Sequence, residues 1–236
     1  MLILAVDTST TVGGVSLLRD GELMTEQIMN VRRTHSERLM SSVEAALSAT
    51  GCSPQDLDCV AACIGPGSFT GVRIGVAAAK ALAWAVGVPA IGVPGPDALA
   101  YGRTGDADDQ IWALIDARHG RCYTAAFKPS RAGRAGERMT PYSLQRLDSI
   151  LLEAGKSRGR CIFVGDGAAM HREAILSGLG DQAVIPPDAL LVLRPAQVGL
   201  VAAELISSGE EGDPATMVPM YLRESEAEVK LLGGEL

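Results

Sequence analysis

The first thirty residues alternate between apolar runs and polar punctuation in a way that predicts three strands. Leu2 to Val6 are continuously apolar, fit for a buried strand, and Asp7-Thr8-Ser9-Thr10-Thr11 is turn chemistry. Gly14 to Leu18 predicts a second strand, Asp20-Gly21 a hairpin turn, and Glu22 to Met29 a third strand. The period then changes. Leu39, Met40, Val43, Ala46 and Leu47 recur at helical spacing behind Thr34-His35-Ser36-Glu37, which reads as a capping box, and Gly51 ends the helix. Cys59 to Ile64 predicts a buried strand leading into Gly65-Pro66-Gly67-Ser68-Phe69-Thr70-Gly71. A helix over 72–86 and a short strand over 90–93 follow.

A polar stretch rich in Gly and Asp, 102–109, predicts a boundary between an N-terminal unit, 1–105, and a C-terminal unit, 106–236. Beyond it the pattern restarts. Ile111 to Ile115 and Arg121 to Phe127 read as strands around the turn Asp116-Ala117-Arg118-His119-Gly120. LAVDTSTTVGGVSLL and ALIDARHGRCYTAAF share one plan: apolar run, Asp, polar turn with Gly, apolar run. That repeat suggests two related lobes. Helices are expected over 144–152, 168–176 and 197–207, with a strand over 161–164.

Composition narrows the function classes. The 236 residues carry a net charge of −7, the wrong sign for a protein whose main task is to grip a phosphate backbone. Aromatic residues are only 4%, which argues against a channel that stacks single-stranded bases. The charge is uneven, however. Ten Lys or Arg face three acids between Arg118 and Arg160, a basic stretch that could meet RNA or simply be solvated. Eight acids face two bases from Glu204 onward. Five cysteines cannot all pair, and none has zinc-ligand spacing. The N-terminus lacks a basic leader, and 81–96 is interrupted by Gly87, Pro89, Gly92 and Pro94. A soluble, reduced, cytoplasmic protein with no membrane partner is expected.

Few residues offer chemistry. GPGSFTG could present amides to an anion at a helix N-terminus or form a tight structural turn. It is not a P-loop, since Val72-Arg73 stands where Lys-Ser/Thr would, and not a nucleophile elbow. Asp7 and Asp116 end buried strands, where a carboxylate could hold magnesium beside a phosphate or cap its own turn. Thr8, Ser9, Gly65, Gly67 and Ser68, with Gly165 and Gly167 of the later Gly-Asp-Gly-Ala, complete the candidate phosphate loops. His35 has Leu39 where a second metal-binding histidine would fall, so neither a metal nor another cofactor is expected. The helix VRIGVAAAKALAWAV is apolar nearly all round. Its Gly71, Gly75 and Ala79 form a row of small residues that would admit another helix.

Taken together, LAVDTSTTVGGVSL, THSERL, CIGPGSFTGVRIGVAAAKALA, ALIDAR and VPMYLR resemble the TsaB (YeaZ) family. The resemblance spans most of residues 1–127 and returns at 218–223. His119 and Cys122, and the lack of Pro after Leu39, depart from the family pattern. The resemblance implies an α/β protein of two ribonuclease-H-like lobes in the actin/sugar-kinase/Hsp70-like fold. It implies a non-catalytic subunit in synthesis of the tRNA base threonylcarbamoyladenosine. Its partner would be a TsaD-type catalytic subunit, joined by a TsaE-type ATPase, with a homodimer when alone and tRNA met mainly through the complex. The helices at 35–50 and 71–86 would form the partner face, through Leu39, Val43, Leu47, Val72, Gly75, Val76 and Ala79. A stand-alone phosphotransferase or glycopeptidase-like enzyme is the alternative.

Overall fold

The computed structural model describes residues 1–30, 35–130, 134 and 136–222, and the capping box at Thr34–Glu37 lies outside the side chains described. Strands β1 (Leu2–Asp7), β2 (Val12–Arg19) and β3 (Glu22–Asn30) form an antiparallel meander. Helix α1 (His35–Thr50) leads to β4 (Cys59–Gly65), and α2 (Phe69–Val86) leads to β5 (Ala90–Pro94). Both β4 and β5 join in parallel, giving the sheet order β3-β2-β1-β4-β5.

A short helix, α3 (Gly95–Ala100), connects to β6 (Gln110–Asp116), β7 (Arg121–Phe127) and β8 (Ser143–Arg146), again an antiparallel meander. Helix α4 (Leu147–Ala154), β9 (Cys161–Val164), the helices α5 (Asp166–Met170) and α6 (Arg172–Leu179), and β10 (Ala183–Val184) complete a second sheet, ordered β10-β9-β6-β7-β8. The two sheets follow one plan. Each is a meander whose first strand also pairs in parallel with the strand after the next helix. The repeat read from two Asp-containing turns therefore extends to ten strands. The final helix, α7 (Pro195–Ser207), breaks that plan by packing on β1 and β2 of the first sheet.

Both faces of the first sheet are covered, which is why β1 is apolar at every position before Asp7. Leu2, Leu4 and Val6 face the layer of α1 and α2. Ile3 and Ala5 face the opposite layer, which holds α7 and continues into the second sheet around Trp112, Phe127 and Phe163. At Gly199 of α7 the backbone lies so close to the sheet that a Cβ would overlap Leu18 Cδ1. Glu26 of β3 docks the start of α7: its buried carboxylate accepts from Arg194 and, at 2.9 Å, from the amide of Ala196. Residues 101–109 join the sheets under tight restraint. Asp109, 4% exposed, accepts from Asp106 N at 2.9 Å, Arg160 N at 2.7 Å and Arg160 Nη2 at 2.8 Å.

Two expectations change. Residues 143–146 extend the sheet as β8, because pairing with β7 captures their backbone groups, and the helix begins only at Leu147. The helix expected over 168–176 is two helices, parted at His171, whose φ of −106° leaves the helical range. Two segments, α2 and 188–207, are long and apolar enough to cross a membrane, and each packs on the first sheet.

Candidate functional site

The GPGSFTG loop closes on the turn after β1. Ser68 Oγ caps α2 by accepting from Gly71 N at 3.2 Å, and Ser68 N donates to the Ser9 carbonyl at 2.7 Å. Thr8 Oγ1, buried, donates to the Gly71 carbonyl at 2.6 Å. A Cβ on Gly67 would overlap the Ser9 carbonyl oxygen, and one on Gly71 that of Thr8. Gly75 leaves room for the Thr8 hydroxyl, 2.5 Å from where its Cβ would stand. The small row along α2 thus admits the chain's own turn, not a second helix. Of the two readings of this loop, the described contacts carry the tight structural turn.

The second repeat builds its counterpart. Asp7 Oδ1 accepts from Ser9 N at 2.9 Å and Asp116 Oδ1 from Arg118 N at 3.0 Å, the same turn in both halves. Asp166, at the start of α5, accepts from Asp116 N at 3.0 Å. Gly165, with φ +102°, and Gly167 lie against the Leu114 carbonyl, where a Cβ would not fit at Gly165 and would be crowded at 3.0 Å at Gly167. Burial pushes the Asp7 carboxyl up to about 6, and the charge of Asp166 adds to the rise. Burial likewise raises Asp166 to about 6, with Asp116 contributing. Asp7 Oδ2 has no hydrogen-bond partner. Buried carboxylates that repel one another would also repel phosphate, so the arrangement suits a held proton better than a bound anion. Among the described residues, no three His, Cys, Asp or Glu side chains converge on a metal position.

The seven residues expected on a partner face are buried inside this chain. Leu39, Val43 and Leu47 are 2–5% exposed, Val72, Val76 and Ala79 1–3%, and Gly75 is buried with them. They pack between their helices and the first sheet, so the expectation that they form an exposed patch is wrong. The reason is phase: the bulkier stripe of an all-apolar helix covers its own sheet first. The outward side of α2 carries Arg73, Ala77, Ala81, Trp84 and Ala85, and that of α1 carries Met40, Ser41, Glu44, Ala45, Ser48 and Ala49. Trp84 is 71% exposed and Met40 51%. The signal is present in the sequence, since Arg73, Lys80 and Trp84, at i, i+7 and i+11, fall on one narrow face of a helix.

The flank of α2 is held by residues 213–221. Lys80 Nζ donates to the carbonyls of Ala215, at 3.2 Å, and Met217, at 2.9 Å. Arg73 lies 3.8 Å over the Phe69 ring and donates from Nε to the Tyr221 hydroxyl at 2.7 Å.

Residues 26–231 match the profile of the family described as TsaD, tRNA N6-adenosine threonylcarbamoyltransferase. The chain is 34% identical over 231 residues to the Bacillus subtilis tRNA threonylcarbamoyladenosine biosynthesis protein TsaB, covering 98% of this chain and 97% of that one. It is 31% identical to the Escherichia coli protein of the same name, with both chains fully covered. The chain belongs to the TsaB family. The profile match makes this chain similar in sequence to the transferase family as well. The fold agrees: YeaZ from Pseudomonas aeruginosa superposes with a TM-score of 0.74 at 22% identity, over 94% of this chain and 99% of that one. The expected α/β architecture, with two sheets built on one plan, is the one found.

Proposed function

We propose that this chain is a non-catalytic subunit that docks on a TsaD-type transferase and activates it in threonylcarbamoyladenosine synthesis on tRNA. One observation carries the reading. The outward faces of α1 and α2 carry Ala45, Ala49, Ala77, Ala81 and Ala85 beside Met40 and Trp84, and these small and apolar residues outnumber the charged Glu44 and Arg73 and the polar Ser41 and Ser48 among them. Small side chains let two helices approach closely. Similarity to the transferase family supplies a partner with a matching helix pair, so a pseudo-twofold four-helix contact forms, or a homodimer when the partner is absent.

Two further features support it. The glycine loops that might cradle phosphate are filled by the chain's own carbonyls, and the buried Asp7 and Asp166 carboxyls beside them become negative above about pH 6, where they oppose a phosphate. In this reading the chain divides near residue 105 into two lobes, with α7 returning to the first. A TsaE-type ATPase joins the assembled complex in the cytoplasm. The test is co-purification with the transferase subunit from the same organism, followed by tRNA modification with and without this chain. Stable association and modification that depends on the chain are expected. Full activity of the transferase alone, or turnover of ATP by this chain alone, would overturn the reading.

A further inference from the structure

The two tryptophans of the chain differ sharply in burial. Trp112 lies in the core at 2% exposure, whereas the Trp84 indole, on the outward side of α2, is 71% exposed. Beside Trp84 is a cavity of about 530 Å³, bounded also by Val88 and Pro89 after the end of α2 and by Gly212, Asp213 and Pro214. The second of these walls is a fixed turn. Asp213 Oδ1 accepts from Ala215 N at 2.7 Å, and the Asp213 carbonyl accepts from Met217 N at 3.1 Å. Lys80, one turn before Trp84, ties the turn to α2 through the carbonyls of Ala215 and Met217, and Met217 itself is buried in the core. The cavity is therefore preformed.

Its electrostatics favour a cation. The face of an indole is the negative part of its quadrupole and attracts ammonium and guanidinium groups. α2 ends here, a helix C-terminus carries partial negative charge, and no Lys or Arg stands in the last turn to offset it. Glu210, Glu211 and Asp213, all exposed, bring three carboxylates to this part of the chain, while the Lys80 ammonium is held on its two carbonyls. A phosphate would be repelled, and an apolar group would strip water from the carboxylates without replacing it. We propose that the cavity beside Trp84 receives a cationic side chain, Arg or Lys, from the transferase subunit. The inference rests on the docking reading above and names an anchor within it: a tryptophan at the wall of a preformed pocket is the kind of residue on which binding energy concentrates.

The experiment measures association of the full chain with the transferase subunit by calorimetry, with circular dichroism as the check on fold. The parent is compared with Trp84→Ala, with Ala81→Glu, and with chains grown on mono-, di- and trifluorinated tryptophan. Each fluorine draws electron density from the ring face, so a cation held there is lost in steps, while an apolar contact keeps its area. A Trp84→Phe chain grown the same way corrects for Trp112. Trp84→Ala should fold like the parent and bind about thirtyfold more weakly. The fluorinated chains should lose affinity progressively, by about five- to tenfold at the end of the series. Weak binding by Trp84→Ala with no trend across the fluorinated chains would overturn the proposal, since the occupant would then be apolar. Parent-like binding by Trp84→Ala, with association lost in Ala81→Glu, would also overturn it and leave the docking reading standing. If both variants bind like the parent, the docking reading falls and the inference falls with it.

Discussion

Ala79→Glu places a carboxyl in the layer where α2 meets Leu4, Val6 and Ala62, at a position 1% exposed. A glutamate ionises near 4.3 in the unfolded chain, and full burial raises that by three units or more. At pH 7 the fold must then hold a proton that the unfolded chain releases, at a cost of about 4 kcal/mol. Overpacking adds about 1–3 kcal/mol. The total, roughly 5–7 kcal/mol, is comparable with the whole stability of an ordinary domain, about 5–15 kcal/mol. The variant should melt at least about 10 °C below the parent at pH 7. The sign of the pH dependence follows from the raised carboxyl: the penalty shrinks on acidification and falls to about 1 kcal/mol at pH 5. Ala81→Glu, two residues on and facing out, should melt like the parent and lose association with the transferase subunit. Thermal unfolding of both variants at pH 5 and 7, with calorimetry of their association, decides the matter. If Ala79→Glu melts within 2 °C (about 1 kcal/mol) of the parent, the inward face of α2 is not where the structure puts it.

Asp7→Asn should stabilise the protein at pH 7. A carboxyl held near 6 when folded and 3.8 when unfolded opposes folding at neutral pH by about 3 kcal/mol, an effect that grows between pH 4 and 6. Chemical denaturation across that window should show the parent losing stability with rising pH and the variant losing less. Thr8→Val leaves the buried Gly71 carbonyl without its donor and should cost about 1–3 kcal/mol, read as a lower denaturation midpoint. Glu26→Ala unpairs Arg194 and the amide of Ala196. Because Arg194 is 44% exposed, the loss should be about 1–3 kcal/mol, with faster amide exchange at the start of α7.

Local pattern sufficed for the strand–Asp–turn–strand units, because an apolar run covered on both sides cannot be mistaken for a solvated strand. It sufficed for the span of α2 but not for its orientation. A helix apolar nearly all round does not say where its sheet lies, and that choice depends on Thr8, more than sixty residues away, needing the space that Gly71 and Gly75 leave. Ser143–Arg146 is too short to show a period, and its strand state comes from hydrogen bonds to β7. The break at His171 has no Gly or Pro to announce it. Asp7 of β1 and Asp166 of α5 come from separate repeats, and both carboxyls are raised chiefly by burial, which only the folded chain supplies.

The place of α7 sets a timetable for synthesis. Every strand of the first sheet has been synthesised once residue 94 is made, yet one face of that sheet waits for residues 195–207. At about 5–20 residues per second, the delay is roughly 5–20 s, during which Ile3, Ala5 and Leu18 have no lasting cover. A nascent chain in that interval is sticky on the side that α7 will later close. A message cut short after the first sheet would therefore yield an aggregation-prone fragment, not a working half.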